Sequence, residues 1–429
     1  MTMTDFDWTA IIQKLCSPEW AIIEQLFPYQ PLPIEPDFAH VHAFYRARDL
    51  GGQLFAAGGT STNMQVAIVK ATAEAVERFC ASAIDGLPYI YASYAEIVNE
   101  AVDPQQWIQF APTQYTVPGF PFHQITKDDP IGWMRGVSLT SGSPVYVPAS
   151  IVDQTYRPHS PAERFEVAPL SGYACGSSLD QALLHGLLEV VERDAFMVSW
   201  YTQRPLVGID LRTTPGNVQT LLQRYATCPA RIFCWDLTSD LGIPTALVGL
   251  LGQSPELPAL VVAMATKTDM AQAIERALEE LAANLVLVRS LWLQRWRQPL
   301  TLHQVQQAED HGLFYATQQN LRYLAPWLRT PNLQPFSAES SIPSQSLSLS
   351  MADCVERLRS AGLEAYYVDL TLPQVRDLGL YVVKVLIPQA QPIDFGWSTN
   401  HWGGKRLKTL PQVLAYISPG LNPYPHPFP

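Results

Sequence analysis

The chain has 429 residues, 47% hydrophobic and 16% charged, with 28 basic against 39 acidic residues for a net charge of −11. Such a chain has too much apolar and too little charged content to stay disordered, and it lacks the basic excess that a broad nucleic-acid-binding surface needs. Its length fits one large domain or two. The opening MTMTDFDWTA carries acid and no long apolar run, so no secretory signal is read there. The most apolar runs, 243–252 and 257–265, are short and divided by Gln253, Ser254, Pro255 and Glu256, so no membrane span is expected. Cys16, Cys80, Cys175, Cys228, Cys234 and Cys354 form no CxxC pair and have no clustered His beside them. That argues against zinc and for a reducing, cytoplasmic setting.

Along the chain, Pro28, Pro31, Pro33 and Pro36 mark an extended N-terminal segment, because proline removes a donor and disfavours helix. Residues 65–82 carry Ile68, Ala71, Ala75 and Phe79 at helical spacing. Residues 136–139 and 144–148 flank a Thr-Ser-Gly-Ser turn and predict a hairpin. Residues 179–200 and 271–293 predict two long helices. Short β-prone runs recur at 231–235, 245–251, 260–264, 364–369 and 380–387. Residues 330–350 are Ser-rich and without pattern, and read as a linker or mobile loop. The last seven residues, PYPHPFP, place proline at every second position. The fold class expected is α/β, a mixed α+β arrangement with helices packed on sheets.

Two of the predicted helices carry nearly the same pentapeptide, EAVER at 74–78 and EVVER at 189–193. Glu74 and Glu77, like Glu189 and Glu192, are three apart and share a helix face, where like charges repel. Leu183, Leu184, Leu187, Leu188, Val190 and Val191 surround the second pair, so that helix is expected to be buried. A buried carboxylate needs a cation or a metal. Read singly, each pair is a salt bridge with the adjacent Arg; two copies together point to a shared cation, and hard oxygen donors suit Mg²⁺. Arg276 and Glu280 in the third helix are an ordinary i,i+4 pair unless folding brings them to the same cleft. Lys70, one turn before Glu74, is either its partner or a phosphate ligand. No P-loop, GxGxxG, HExxH or GxSxG is present, so a nucleotide site here follows none of those patterns.

From about residue 57 onward the chain resembles the YcaO superfamily. The segment SGYACGSSLDQALLHGLLEVVERDAF at 171–196 carries most of the likeness, as a Gly-rich turn leading into a helix with HGLxExxERDA. The earlier ExxER, the VPA after the hairpin, RALEE in the third helix and DLT at 369–371 are further landmarks. The family's Gly-Lys-Gly stands here as Ala57-Gly58-Gly59. GGKRL at 403–407 and the tail LNPYPHPFP resemble the azoline-forming subgroup, the D components of cyclodehydratases.

The resemblance implies a YcaO-type fold with helices and sheets around an ATP cleft, spanning 51–429 after an N-terminal extension at 1–50. It implies ATP and Mg²⁺ as cofactors. Glu74, Glu77, Glu189 and Glu192 would hold the metal, and Arg193, Arg276, Glu280 and Ser177 would line the nucleotide. The carboxylate of Pro429 would serve as base at the end of the Pro-rich tail at 422–429, whose last seven residues span about 19 Å when extended at about 3.1 Å each. The implied activity is ATP-dependent cyclodehydration of Cys, Ser or Thr in a ribosomal precursor peptide to thiazoline or oxazoline. A thioamide- or amidine-forming relative and a non-catalytic nucleotide-binding accessory protein are the alternatives. The partners implied are the precursor peptide and a separate ThiF-like leader-binding C component, because about 50 residues before the match are too few to hold that domain. Nucleic acid and membrane are not expected as partners, and a homodimer is left open.

Overall fold

The structure is a computed structural model and describes residues 7–47, 51–83, 89–107, 110–166, 169–324, 333–337, 349–396 and 399–429. The chain begins with helix α1 (Trp8–Leu15) and an antiparallel meander of β1 (Ile23–Tyr29), β2 (Ala39–Ala47) and β3 (Gln53–Ser61). Along β2, Val41, Ala43, Tyr45 and Ala47 are buried at alternate positions, as a strand with one covered face requires. Helix α2 (Met64–Ala81) covers that face with Ala67, Ala71, Ala75 and Phe79. Its close approach depends on Gly59, where an added Cβ would lie 2.0 Å from the Ala67 carbonyl oxygen. Pro28 sits in β1, an edge strand where a missing donor is tolerated. The expected boundary at 50/51 thus falls between two paired strands of one sheet.

A second sheet runs β4 (Tyr89–Ser93), β5 (Pro130–Ser138), β13 (Tyr366–Asp369), β14 (Tyr381–Leu386), β7 (Tyr173–Gly176), with β6 (Pro144–Pro148) also on β5 in the predicted hairpin. A third runs β11 (Leu260–Thr266), β10 (Thr245–Gly252), β9 (Ala230–Asp236), β8 (Val207–Asp210), β12 (Leu333–Pro335). Helix α4 (Leu179–Tyr201) packs on β7 and β14, and α6 (Met270–Gln294) on β10 and β11. Asn63, Ser178 and Asp269 cap α2, α4 and α6 by accepting from backbone N–H groups of the first turn. Shorter helices are α3 (Ala149–Val152), α5 (Gly216–Gln223), α7 (Ala308–Phe314), α8 (Met351–Ser360), α9 (Pro373–Arg376) and α10 (Arg406–Val413).

The α/β class is as expected. Of the segment read as a mobile linker, 330–332 and 338–348 lie outside the described residues. Its described part is structured: β12 pairs parallel to β8, and Ser350 caps α8. All six cysteines are free thiols. Among the described residues no helix is long and apolar enough to cross a membrane.

Candidate active site

Carboxylates on helices α2, α4 and α6 lie near enough to act on one another, although among the described residues no group of three or more His, Cys, Asp or Glu side chains is gathered as a ready metal site. Each carboxylate of the two repeats except Glu77 accepts a backbone hydrogen bond from a different element. Glu74 accepts from the N–H of Gly58 on β3 at 3.1 Å, Glu189 from Gly172 at 3.0 Å, and Glu192 from Thr266 on β11 at 2.8 Å. Gly172 has φ +90°, a conformation that favours glycine, and an added Cβ there would lie 2.3 Å from the Val385 carbonyl oxygen. The repeat arginines pair locally. Arg78 lies 3.9 Å from Glu74 and 3.7 Å from Glu77, and Arg193 lies 3.5 Å from Glu189 and 3.3 Å from Glu192. Arg276 pairs with Glu280 at 3.5 Å and Glu279 at 3.6 Å.

The carboxylates act on one another across the helices. Burial pushes Glu77 up to about 8; Arg78 opposes this, while Glu189 and Glu74 reinforce it. Burial also lifts Glu192 to about 7 against the pull of Arg193, with Glu280 and Glu189 adding to the rise. Glu74 is raised by burial, and Glu280 contributes. Glu280 is thus close enough to act on one carboxylate of each repeat. Burial, more than the neighbouring charges, keeps these carboxylates protonated toward neutrality, and oxygen donors of this kind are the type that Mg²⁺ takes. The buried Nη1 of Arg78 makes no hydrogen bond and takes no part in its ion pairs with Glu74 and Glu77, whereas Nη1 of Arg193 lies 3.3 Å from Glu192.

The other predicted residues divide. Ser177 donates from its backbone N–H and its hydroxyl to Gln181, both at 2.8 Å, and so braces the start of α4. Lys70 pairs with neither Glu74 nor a free position: it binds Glu279 and donates to the Thr60 carbonyl at 3.1 Å, tying α2 to α6. Three cations were not singled out by sequence reasoning. Arg78 closes the first repeat. Lys267 is depressed by burial and by Arg276, while Glu192, Glu280 and Glu279 draw it the other way. Lys384 is fully buried on β14, donates to the carbonyls of Pro169 and Ser171, and sits over the Tyr173 ring at 3.9 Å. Burial lowers it to about 7, against Glu189. Its visible signal is a lone charge in the apolar strand YVVKVL.

The Pro-rich tail is threaded into the body of the protein. Asn422 N–H donates to the Tyr201 carbonyl at 2.8 Å, Trp200 Nε1 to that of Tyr424 at 3.0 Å, and the Tyr315 hydroxyl to that of Pro425 at 2.7 Å. His426 Nε2 donates to the Asp394 carbonyl at 2.8 Å, and its ring stacks on His311 at 4.0 Å. Trp200, Tyr315 and His311, which donates to the His426 carbonyl at 3.1 Å, satisfy carbonyls that an extended proline run cannot pair internally. The run ends against the second repeat and α7: the Phe428 ring lies 4.5 Å from the Arg193 guanidinium, and Pro429 packs on Gly312 of α7, where an added Cβ would lie 3.0 Å from its ring.

A sequence profile described as YcaO cyclodehydratase, ATP- and Mg²⁺-binding, matches residues 58–391. The chain belongs to the YcaO family. ATP and Mg²⁺ are the cofactors of that domain. An uncharacterized protein of Methanothermobacter thermautotrophicus is 26% identical over 260 residues, covering 60% of this chain and 64% of its own length. A solved heterocyclase in complex with substrate and cofactor superposes with a TM-score of 0.76 at 24% identity, covering 98% of this chain and 56% of that one. The YcaO protein of Methanopyrus kandleri bound with AMPPCP and Mg²⁺ superposes at 0.61 and 22% identity, covering 89% and 90%. The chain thus spans less than two thirds of the length of the first two, and at these identities the solved structures show the shared fold.

Proposed function

We propose that the chain is an ATP-dependent peptide cyclodehydratase, forming thiazoline or oxazoline from Cys, Ser or Thr of a ribosomal precursor peptide. The observation that carries this reading is the seating of the tail against the second repeat, with Phe428 on Arg193. A rigid terminus brought to a nucleotide site has use as a reacting group, beyond any role in packing. ATP supplies the phosphoryl group that turns the amide oxygen into a leaving group, and Mg²⁺ neutralises phosphate charge. Glu74, Glu77, Glu189 and Glu192 hold the metal. Arg193, Arg276 and Glu280 orient the nucleotide, and Ser177 sets the start of α4. The Pro429 carboxylate, fixed by the proline run, accepts the proton released on ring closure. A separate ThiF-like C component delivers the peptide by its leader.

The test is to incubate the protein and a ThiF-like C component with ATP, Mg²⁺ and leader-bearing peptides holding an internal Cys or Ser, the preceding carbonyl labelled with heavy oxygen. Cyclodehydration predicts loss of one water per ring by mass spectrometry and transfer of the label into phosphate. Sulfur incorporation would indicate a thioamide-forming enzyme. Nucleotide turnover indifferent to every peptide would contradict the proposal.

A further inference from the structure

Arg193 also lines a cavity of about 240 Å³, bounded by α4, residues 169–171 and residues 385–395. Its walls are mostly apolar, among them Val190, Ile387, Ile393 and Phe395. One corner is charged but engaged with itself. His401 donates to Glu166 at 2.9 Å and to Asp394 at 3.1 Å, while its ring stacks on Phe110 at 4.6 Å, which in turn stacks on Phe122 at 4.6 Å. Asp394 also accepts from the Tyr201 hydroxyl and the His401 backbone N–H. What the cavity offers an occupant is therefore chiefly its apolar wall. An apolar cavity of about 150 Å³ holds benzene, so this one has room for a large side chain.

Arg193 belongs to both spaces: it pairs with Glu189 and Glu192 and also lines the cavity. Consecutive peptide residues are about 3.8 Å apart, so a peptide reacting at Arg193 would bring a neighbouring side chain to the cavity mouth. We propose that this cavity is a specificity pocket for a large apolar side chain, aromatic or branched aliphatic, adjacent to the reacting Cys, Ser or Thr of the peptide. The inference rests on the cyclodehydratase reading and adds a sequence preference to it.

The test measures binding separately from turnover. Fluorescently labelled peptides with Gly, Ala, Leu or Phe beside an internal Cys are titrated by anisotropy into the protein holding Mg²⁺ and a non-hydrolysable ATP analogue. The Leu and Phe peptides should bind about ten- to a hundred-fold tighter than the Gly peptide, the range that burying one such side chain gives. Ala390 lines the cavity, and Ala390→Leu should remove that preference while the Gly peptide binds as before; Ile387→Ala, which widens the space, should keep it. Equal affinity across the wild-type series would overturn the pocket, whether or not any peptide is cyclised. A preserved, Ala390→Leu-sensitive preference without azoline formation would support the pocket and count against the cyclodehydratase reading alone.

Discussion

The two Glu-x-x-Glu-Arg repeats share four of five residues and meet unlike surroundings. In α4 both glutamates are fixed by backbone donors, Gly172 and Thr266, and the arginine lies against Phe428 of the tail. In α2 Glu74 has such a donor, Gly58, whereas Glu77 pairs with Arg78 at 3.7 Å and feels Lys384, with no backbone donor among the described residues. Burial raises a carboxylate in each half, Glu77 to about 8 and Glu192 to about 7. A repeated motif can thus supply one preorganised half, joined to the reaction end, and one half whose charge depends on what the cleft contains.

The largest effect should come from the feature the α4 half has and the α2 half lacks, its contact with the tail. Adding one glycine after Pro429 should slow ring formation by roughly 10²–10⁴-fold, the usual contribution of a positioned base, while ATP affinity by calorimetry holds. Full activity in the extended protein would move the base elsewhere. The fixed carboxylate comes next. Glu189→Gln should weaken ATP·Mg²⁺ binding on the order of 100-fold, as loss of a charged partner worth up to about 3 kcal/mol implies, and Glu77→Gln by about tenfold. Equal losses would erase the asymmetry between the halves.

A pH series sharpens the same contrast. Glu77 and Glu192 keep their protons in the metal-free fold until the pH nears about 8 and about 7, whereas in the unfolded chain they lose them near 4.5. Raised acids favour the fold at low pH, so metal-free stability should fall as pH rises from 4.5 toward 8. Metal must displace those protons, so ATP·Mg²⁺ affinity should climb over pH 6 to 8, and the climb should flatten in Glu77→Gln. An affinity indifferent to pH in the wild type would contradict this. The smallest effect lies outside both repeats. Burial opposes the charge on His401, but Glu166 and Asp394 outweigh it and raise the imidazole to about 10. A raised His stabilises the fold fully below its ordinary 6.5 and loses that contribution as pH rises through about 10. The melting-temperature gap between wild type and His401→Gln should therefore narrow between pH 6.5 and 10.

Most of the long helices, and the acidic residues on them, are legible in the sequence, because glutamates three apart in an apolar helix advertise their own strain. The Arg276–Glu280 pair reads as surface decoration, since only tertiary packing brings Glu280 near Glu74 and Glu192. Lys384 stands out in YVVKVL, yet its acceptors Pro169 and Ser171 are more than 200 residues away in sequence, beyond any local pattern. The same sheet pairs β5 with β13 and β14 with β7, strands equally remote in sequence. Between β2 and β3, Gly51 and Gly52 take φ of +70° and +71°, a left-handed conformation that glycine adopts without strain.

The central claim is that the two repeats form one metal–nucleotide site. A double-mutant cycle on ATP·Mg²⁺ affinity, with Glu77→Gln, Glu189→Gln and the pair together, tests it most directly. A shared site predicts that the double variant loses less than the sum of the singles, with a coupling of about 0.5–3 kcal/mol, because the first loss already disables the cluster. Additive losses, or wild-type affinity in either single variant, would show that the two repeats do not hold the same ion.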